Sequence, residues 1–276
     1  MALPGFLTAL RLGDEPSRAY FSRLPEHHVC VIVALDGPAG SGKSTTARRV
    51  ADRLGWLYLD TGAMYRAATL AVMRAGLPLD TETAAAVGPE AVTSAAVAAP
   101  LEISTDPGEP RVLLDGEDVA AEIRGTAVTR AVSAVSALTA VREHLVAEQR
   151  RIVAAAAHDG RGIVVEGRDI GTVVVPDAEL KVFLTASEDV RAGRRDADDT
   201  TAGRGAAVDT RSDLARRDRL DSSRVSSPLR PADDAVEVDT SRLDIDGVLA
   251  HLQDLAAEGG LLDHTADAAG VGSHGG

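Results

Sequence analysis

The 276-residue chain carries 42 acidic and 29 basic residues, a net charge of −13. That balance argues against general affinity for nucleic acid or anionic membranes, while leaving room for a local basic pocket. Its one cysteine, Cys30, excludes an internal disulfide framework or a cysteine-based zinc site and fits a reducing cytoplasm; the scattered histidines lack metal-ligand spacing, and no apolar run reaches the roughly 18 residues of a membrane span.

Residues 1–28 are weakly patterned and read as a mobile extension, partly helical over 17–24. Residues 29–36 contain the apolar run Val31-Ile32-Val33-Ala34-Leu35, suited to a buried parallel strand. Gly37-Pro38-Ala39-Gly40-Ser41-Gly42-Lys43-Ser44 follows and spells G-x-x-x-x-G-K-[ST]. Beyond Thr45, apolar residues at 47, 50, 51 and 54 and a glycine at 55 predict a helix over 43–54. Strand, glycine loop and helix are the context a phosphate-binding loop needs. The glycines let backbone N–H groups turn toward phosphate oxygens, and the helix N-terminus adds a favourable dipole. Lys43 is placed to reach the β- and γ-phosphates of a nucleoside triphosphate, and Ser44 to hold Mg²⁺. Only two lysines occur, Lys43 and Lys181, so an arginine-rich chain keeps a compact ammonium at this position.

Trp56-Leu57-Tyr58-Leu59 reads as a second strand, ending at Asp60-Thr61-Gly62 before a helix that starts near Ala63. Thr61 can cap that helix. Arg66, one turn in, is as compatible with facing solvent as with facing a phosphate. Residues 77–125 break the αβ rhythm: an Ala/Val-rich stretch, a strand at 101–104, a turn at 107–110, then a strand leading into a tight turn at Asp115-Gly116. This is long for a connection and reads as an inserted β-containing subdomain. Residues 126–157 are helical, with a break over 135–140. Ser133 and Arg142 lie there, and their spacing alone does not make a site.

A β-branched strand at 162–166 runs into Gly167-Arg168-Asp169-Ile170-Gly171-Thr172, and 180–184 is a fourth strand. Charged residues after strand carboxyl ends are where open α/β sheets bind ligands. An arginine-rich helix from Glu188 carries Arg191, Arg194 and Arg195, and 196–205 reads as a flexible loop. Residues 188–210 are therefore expected to form a lid. A charged helix over 210–220, the stretch from Arg217 to Arg224, a fifth strand at 235–238 and an amphipathic helix over 245–257 complete the pattern. Residues 258–276 read as a disordered tail. The expected fold is α/β: a five-stranded parallel sheet with helices on both faces and one small insertion.

Three functions compete for a phosphate loop. A small-molecule kinase needs a second anion-binding set and a cationic lid, which Arg66, Arg168, Arg217 and Arg224 and the arginines beside the loop supply. A GTPase needs an Asn-Lys-x-Asp motif, and neither lysine stands in one. A non-catalytic nucleotide-binding regulator would keep the cradle and lack an acceptor site.

Four ordered blocks carry a more specific likeness: residues 36–45, Leu59-Asp60-Thr61-Gly62-Ala63-Met64-Tyr65-Arg66, residues 166–178, and residues 217–229 with Arg217-Asp218, Asp221-Ser222 and Arg224. With them, over roughly residues 30–257, the chain resembles bacterial cytidylate kinases, the CMP/dCMP kinases of the P-loop nucleoside monophosphate kinase group. The insertion fits, since that family has a small β subdomain in its nucleotide-binding region. The resemblance implies phosphoryl transfer from ATP with Mg²⁺ to CMP or dCMP by a cytoplasmic monomer. It implies that Thr61, Arg66 and Arg168 bind the acceptor phosphate and that Ser133, Arg142, Asp169 and Arg224 read cytosine. Arg217 and Asp221 resemble sugar or phosphate contacts, and Arg194 and Arg195 resemble lid arginines of the transition state. Glu166 receives no role from either line of reasoning.

Overall fold

The structure is a computed structural model that describes residues 31–79, 88–201, 210–224 and 227–258. The expected extension, Cys30, the tail beyond 258, and residues 80–87 of the insertion and 202–209 of the lid lie outside the described residues.

The chain begins with β1 (Ile32–Asp36), the phosphate loop, α1 (Lys43–Leu54), β2 (Leu57–Asp60) and α2 (Thr61–Arg74). Helix α1 ends as its sequence predicts, on Gly55 in the left-handed region (φ 65°). The insertion follows: α3 (Pro89–Ala98), then β3 (Leu101–Ile103), β4 (Val112–Leu114) and β5 (Glu117–Asp118), paired antiparallel in that order. Asp115 and Gly116, both at positive φ (52° and 79°), make the tight turn between β4 and β5. Helix α3 is absent from the sequence-based expectation. Its Ala/Val composition lacks a clear polar face, and only Val92 and Ala96 are buried along it.

Helices α4 (Thr126–Val135) and α5 (Thr139–His158) flank the expected break. Then come β6 (Ile163–Glu166), a short π-helical turn (Ile170–Val174), β7 (Leu180–Thr185), α6 (Glu188–Thr201), α7 (Thr210–Ser222), β8 (Val236–Asp239) and α8 (Ile245–Glu258). The main sheet has the order β2-β6-β1-β7-β8, and every pairing is parallel. Alternation along the strands splits the core in two. Val33, Leu35, Tyr58, Val164, Val182 and Leu184 pack with Ala47 and Ala51 of α1 and with Val248 and Leu252 of α8. Ala34, Leu59, Ile163 and Val165 face the other way, onto Met64 and Ala68 of α2 and Leu145 and Val153 of α5. Each fully buried aliphatic side chain contributes about 1.5–3 kcal/mol, so the two layers together hold the strand ends in register.

The flexible loop expected from 196 is a difference. Residues 196–201 continue α6, because Asp, Ala and Thr are compatible with a helix already nucleated at Glu188. Among the described residues no helix is long and apolar enough to cross a membrane.

Candidate active site

Three carboxylates end three adjacent parallel strands: Asp36 on β1, Asp60 on β2 and Glu166 on β6. Above them opens a cavity of about 640 Å³. Its walls include Gly40, Gly42, Lys43, Ser44 and Thr45 of the phosphate loop, Arg66 of α2, Arg168 after β6, Arg195 of α6 and Arg217 of α7. Pro107, Gly108 and Pro110 of the insertion close one side, next to Arg48 and Arg49 of α1. With Arg124, the basic side chains outnumber the acidic Asp52, Asp60 and Glu166, so an acidic chain keeps a cationic interior here.

The phosphate loop is fixed by close approach. At Gly37 (φ 143°) an added Cβ would lie 2.1 Å from the Leu184 carbonyl oxygen, so no other residue fits. The Lys43 ammonium donates to the Pro38 carbonyl at 2.6 Å and more weakly to the Ser41 hydroxyl at 3.4 Å. Burial lowers its pKa well below the usual lysine value; Arg168 and Arg217 add to that, while Glu166 and Asp36 oppose it. Burial likewise lowers Arg66, reinforced by Arg217 and Arg195. It lowers Arg217 to about 10, reinforced by Arg168. Cations crowded in a desolvated space gain when a polyanion enters.

The carboxylates have separate tasks. Asp36 accepts from the Ile170 and Gly171 N–H groups at 2.9 and 2.8 Å, which fixes the turn carrying Arg168 and Asp169. Burial raises its pKa to about 6. Asp60, not Thr61, caps α2: its carboxylate accepts from the Ala63 N–H at 2.8 Å. Thr61 is the first helical residue, and its hydroxyl donates to the Glu166 carbonyl at 2.7 Å. At Gly167 a Cβ would lie 2.7 Å from that hydroxyl. The buried Glu166 accepts from the Tyr58 hydroxyl at 2.8 Å, and its second oxygen has no protein partner. Burial raises its pKa to about 7, with Asp60 adding and Lys43 opposing.

Behind Arg168 the remaining predicted residues meet in one buried network. Asp221 accepts from Arg168 at 3.2 Å and from Arg224 at 2.5 Å. Arg224 also donates to the Ser136 hydroxyl at 2.7 Å, and Ser136 donates to the Ser133 carbonyl at 3.2 Å. Arg142 pairs with Asp169, and its guanidinium lies 5.3 Å from the centre of the Tyr65 ring. Arg66 resolves toward the site, lining the cavity while donating to the Ile123 carbonyl and the Thr129 hydroxyl, both at 2.9 Å.

The two arginines expected in a lid part company. Arg195 lines the cavity. Arg194 does not; it donates to the Thr240 hydroxyl and carbonyl at 2.8 Å and to the Ser41 carbonyl at 3.3 Å, fastening α6 to the phosphate loop and β8. Arg191 does similar work, pairing with Asp218 and donating to the Ala39 carbonyl at 3.1 Å.

Asp36, Tyr58, Asp60, Ser136, Glu166 and Asp218 were not anticipated as site residues. For the carboxylates a signal existed: each of Asp36, Asp60 and Glu166 is the polar last residue of an apolar parallel strand, at the edge where such sheets bind ligands.

The cytidylate kinase family model matches residues 33–258. The chain belongs to the cytidylate kinase family. A cytidylate kinase from Rhodococcus opacus (strain B4) is 58% identical over 225 residues, covering 80% of this chain and 93% of that protein. One from Nocardia farcinica (strain IFM 10152) is 55% identical over 231 residues, covering 83% and 94%. One from Mycolicibacterium paratuberculosis (strain ATCC BAA-968 / K-10) is 50% identical over 232 residues, covering 83% and 96%. The family match thus runs from the first strand to the end of α8, and membership makes the chain a phosphotransferase. The five-stranded parallel sheet and its phosphate loop are the kinase fold expected from the sequence.

Proposed function

We propose that the protein transfers the γ-phosphoryl group of ATP to CMP or dCMP. An oxygen of the acceptor phosphate forms the new bond to the γ-phosphorus, the bond from that phosphorus to the bridging β–γ oxygen breaks, and ADP leaves with CDP or dCDP. One observation carries this reading: Lys43 and the phosphate loop share a cavity with a second cationic cluster, Arg66, Arg168 and Arg217. Two separated anion cradles around one space are what transfer between two phosphates requires.

Gly37, Pro38, Ala39, Gly40, Ser41, Gly42, Lys43, Ser44 and Thr45 hold the donor. Arg66 and Arg168 hold the acceptor phosphate, with Thr61 reaching it only by turning its hydroxyl from the Glu166 carbonyl, and Arg217 with Asp221 contacts its phosphate or sugar. Arg195 and Lys43 stabilise the charge that spreads over the transferring group. Arg194 acts through the phosphate loop that it braces. No general base is needed, because an ionised acceptor phosphate is already nucleophilic. Ser133, Arg142, Asp169 and Arg224 read the base. Asp169 accepts from the cytosine amine while Ser133 and the arginines donate to the ring nitrogen and carbonyl. Uracil would turn a carbonyl toward Asp169, an acceptor against an acceptor.

Mg²⁺ fits the oxygen donors available. Among the described residues no group of three or more His, Cys, Asp or Glu could hold a metal alone. Ser44 and Glu166 both line the cavity beside the phosphate loop, and one buried Glu166 oxygen lacks a well-aligned partner. Such sparse protein ligation suits a cation that keeps waters and substrate phosphates. When bound there, it would offset charge on the β- and γ-phosphates.

ADP release, coupled to a reporter and measured with CMP, dCMP, UMP, AMP, GMP and shikimate, tests the proposal. Turnover with CMP and dCMP well above the others is expected. Activity confined to another acceptor would replace the substrate, and no activity with any would favour a nucleotide-binding regulator.

A further inference from the structure

Gln149 is completely buried in the middle of α5, and neither atom of its side-chain amide has a protein hydrogen bond. Its nearest neighbours on the buried helix face are apolar, Leu145, Val146 and Val153, with Arg142 two turns earlier on the same face. A leucine would fill nearly the same volume without leaving a buried donor and acceptor unpaired, so an amide here calls for an explanation. The side chain it faces is Tyr65, whose buried hydroxyl is close to the amide but lacks a well-aligned partner. The Tyr65 ring lies under the Arg142 guanidinium, whose Nε is also buried and unpaired. Arg142 is the partner of Asp169. Three neighbouring side chains from α2 and α5 thus carry loose polar ends, and all lead to one ion pair.

We propose that Gln149 is a specificity-positioning residue for the acceptor base: its amide anchors the Tyr65 hydroxyl, the Tyr65 ring supports Arg142, and Arg142 sets the direction in which Asp169 presents its free oxygen. This rests on the assignment of Arg142 and Asp169 as base readers. Hydrogen bonds that are poorly aligned before substrate binds tighten in the complex. Drawing Arg142 toward the base would carry the ring with it and align the hydroxyl on Gln149. The amide acts at second hand, and it touches neither substrate.

The test is Gln149→Leu, measured as kcat/KM for CMP relative to UMP, with KM for ATP and thermal stability alongside. The CMP preference should fall roughly 5- to 10-fold, about the worth of one hydrogen bond. The change should appear in KM for CMP, with KM for ATP unchanged and stability equal or higher. An unchanged preference in a stable variant overturns the inference, since Gln149 is then only tolerated in the core. Tyr65→Phe keeps the ring and removes the hydroxyl, so it should give the same loss, and the double variant no further loss. If Gln149→Leu does not fold, an unchanged preference in Tyr65→Phe overturns the inference by itself. Asp169→Asn separates the two levels. A shifted preference there with none in Gln149→Leu ends this inference and leaves the base-reading assignment standing. No shift in Asp169→Asn removes the assignment and the inference together.

Discussion

The phosphate loop is made of consecutive residues, 37–44, and works largely through backbone N–H groups turned inward. The proposed acceptor side is made of side chains from α2, α4, α5, the turn after β6, and α7. The loop holds its shape because glycine alone fits, as at Gly37 against the Leu184 carbonyl. The acceptor side holds its shape because charges are paired: Asp221 between Arg168 and Arg224, and Asp169 with Arg142. A backbone cradle recognises any polyphosphate. A side-chain network can distinguish one base from another, and it is vulnerable to the loss of any one partner.

Perturbing the two regions should therefore fail in different ways. Lys43→Ala should lower kcat by roughly 10³-fold, the scale of removing one transition-state cation. Circular dichroism and melting should stay near normal, because a buried cation disfavoured by its surroundings has been removed. Turnover near the original rate would detach the loop from catalysis. Asp221→Ala should do the opposite kind of damage. It leaves the guanidiniums of Arg168 and Arg224 without their carboxylate and should cost about 3 kcal/mol in urea denaturation. KM for CMP should rise while KM for ATP holds. Equal disturbance of both substrates would mean that the two cradles are not separable. Asp169→Asn keeps the side chain's size but removes the charge paired with buried Arg142, so it should lower stability while still folding. It should reduce the CMP-over-UMP ratio of kcat/KM by roughly 30-fold, and a ratio that does not move would break the base-reading role.

The gentlest probe is pH. Asp36 titrates near 6 in the folded protein against an ordinary 3.8. The folded state therefore holds the proton more tightly across that window. Its stabilising contribution is complete below about 3.8 and is lost as pH rises through about 6. In denaturation measured from pH 4 to 7, the wild type should lose stability with rising pH more steeply than Asp36→Asn. Parallel curves would show that Asp36 titrates normally.

This contrast also explains what could be read in the chain. The phosphate loop, strand order of appearance and most helices are local patterns, so Val31 to Ser44 reads correctly from composition and spacing. Arg66, Arg168, Arg217 and Arg224 could be suspected from their places near strand ends and loops, but Ser133, Arg142 and Asp169 could be named only by likeness to a family, because nothing in their spacing brings them together. The supporting residues were harder still. Tyr58 and Glu166 are 108 positions apart and Asp36 and Ile170 are 134 apart. Such pairs form only once β1, β2 and β6 lie side by side. The cap of α2 went to Asp60 and not to Thr61 for the same reason: the Thr61 hydroxyl is engaged by a strand far along the chain. The helical start of the expected lid loop shows the converse, where polar composition was read as disorder and helix propagation prevailed.

The loop between β3 and β4 has a bearing on solubility. Strand β2 lies at the sheet's edge, bonded to β6 on one side only. On the other side the Tyr58 N–H donates to the Thr105 carbonyl at 2.9 Å, and Arg48 donates to the Pro107 carbonyl at 3.0 Å. The insertion thus covers an edge that would otherwise invite a strand from a second molecule. Trimming residues 104–110 to build a smaller enzyme would bare that edge and encourage intermolecular sheet growth before any catalytic residue was touched.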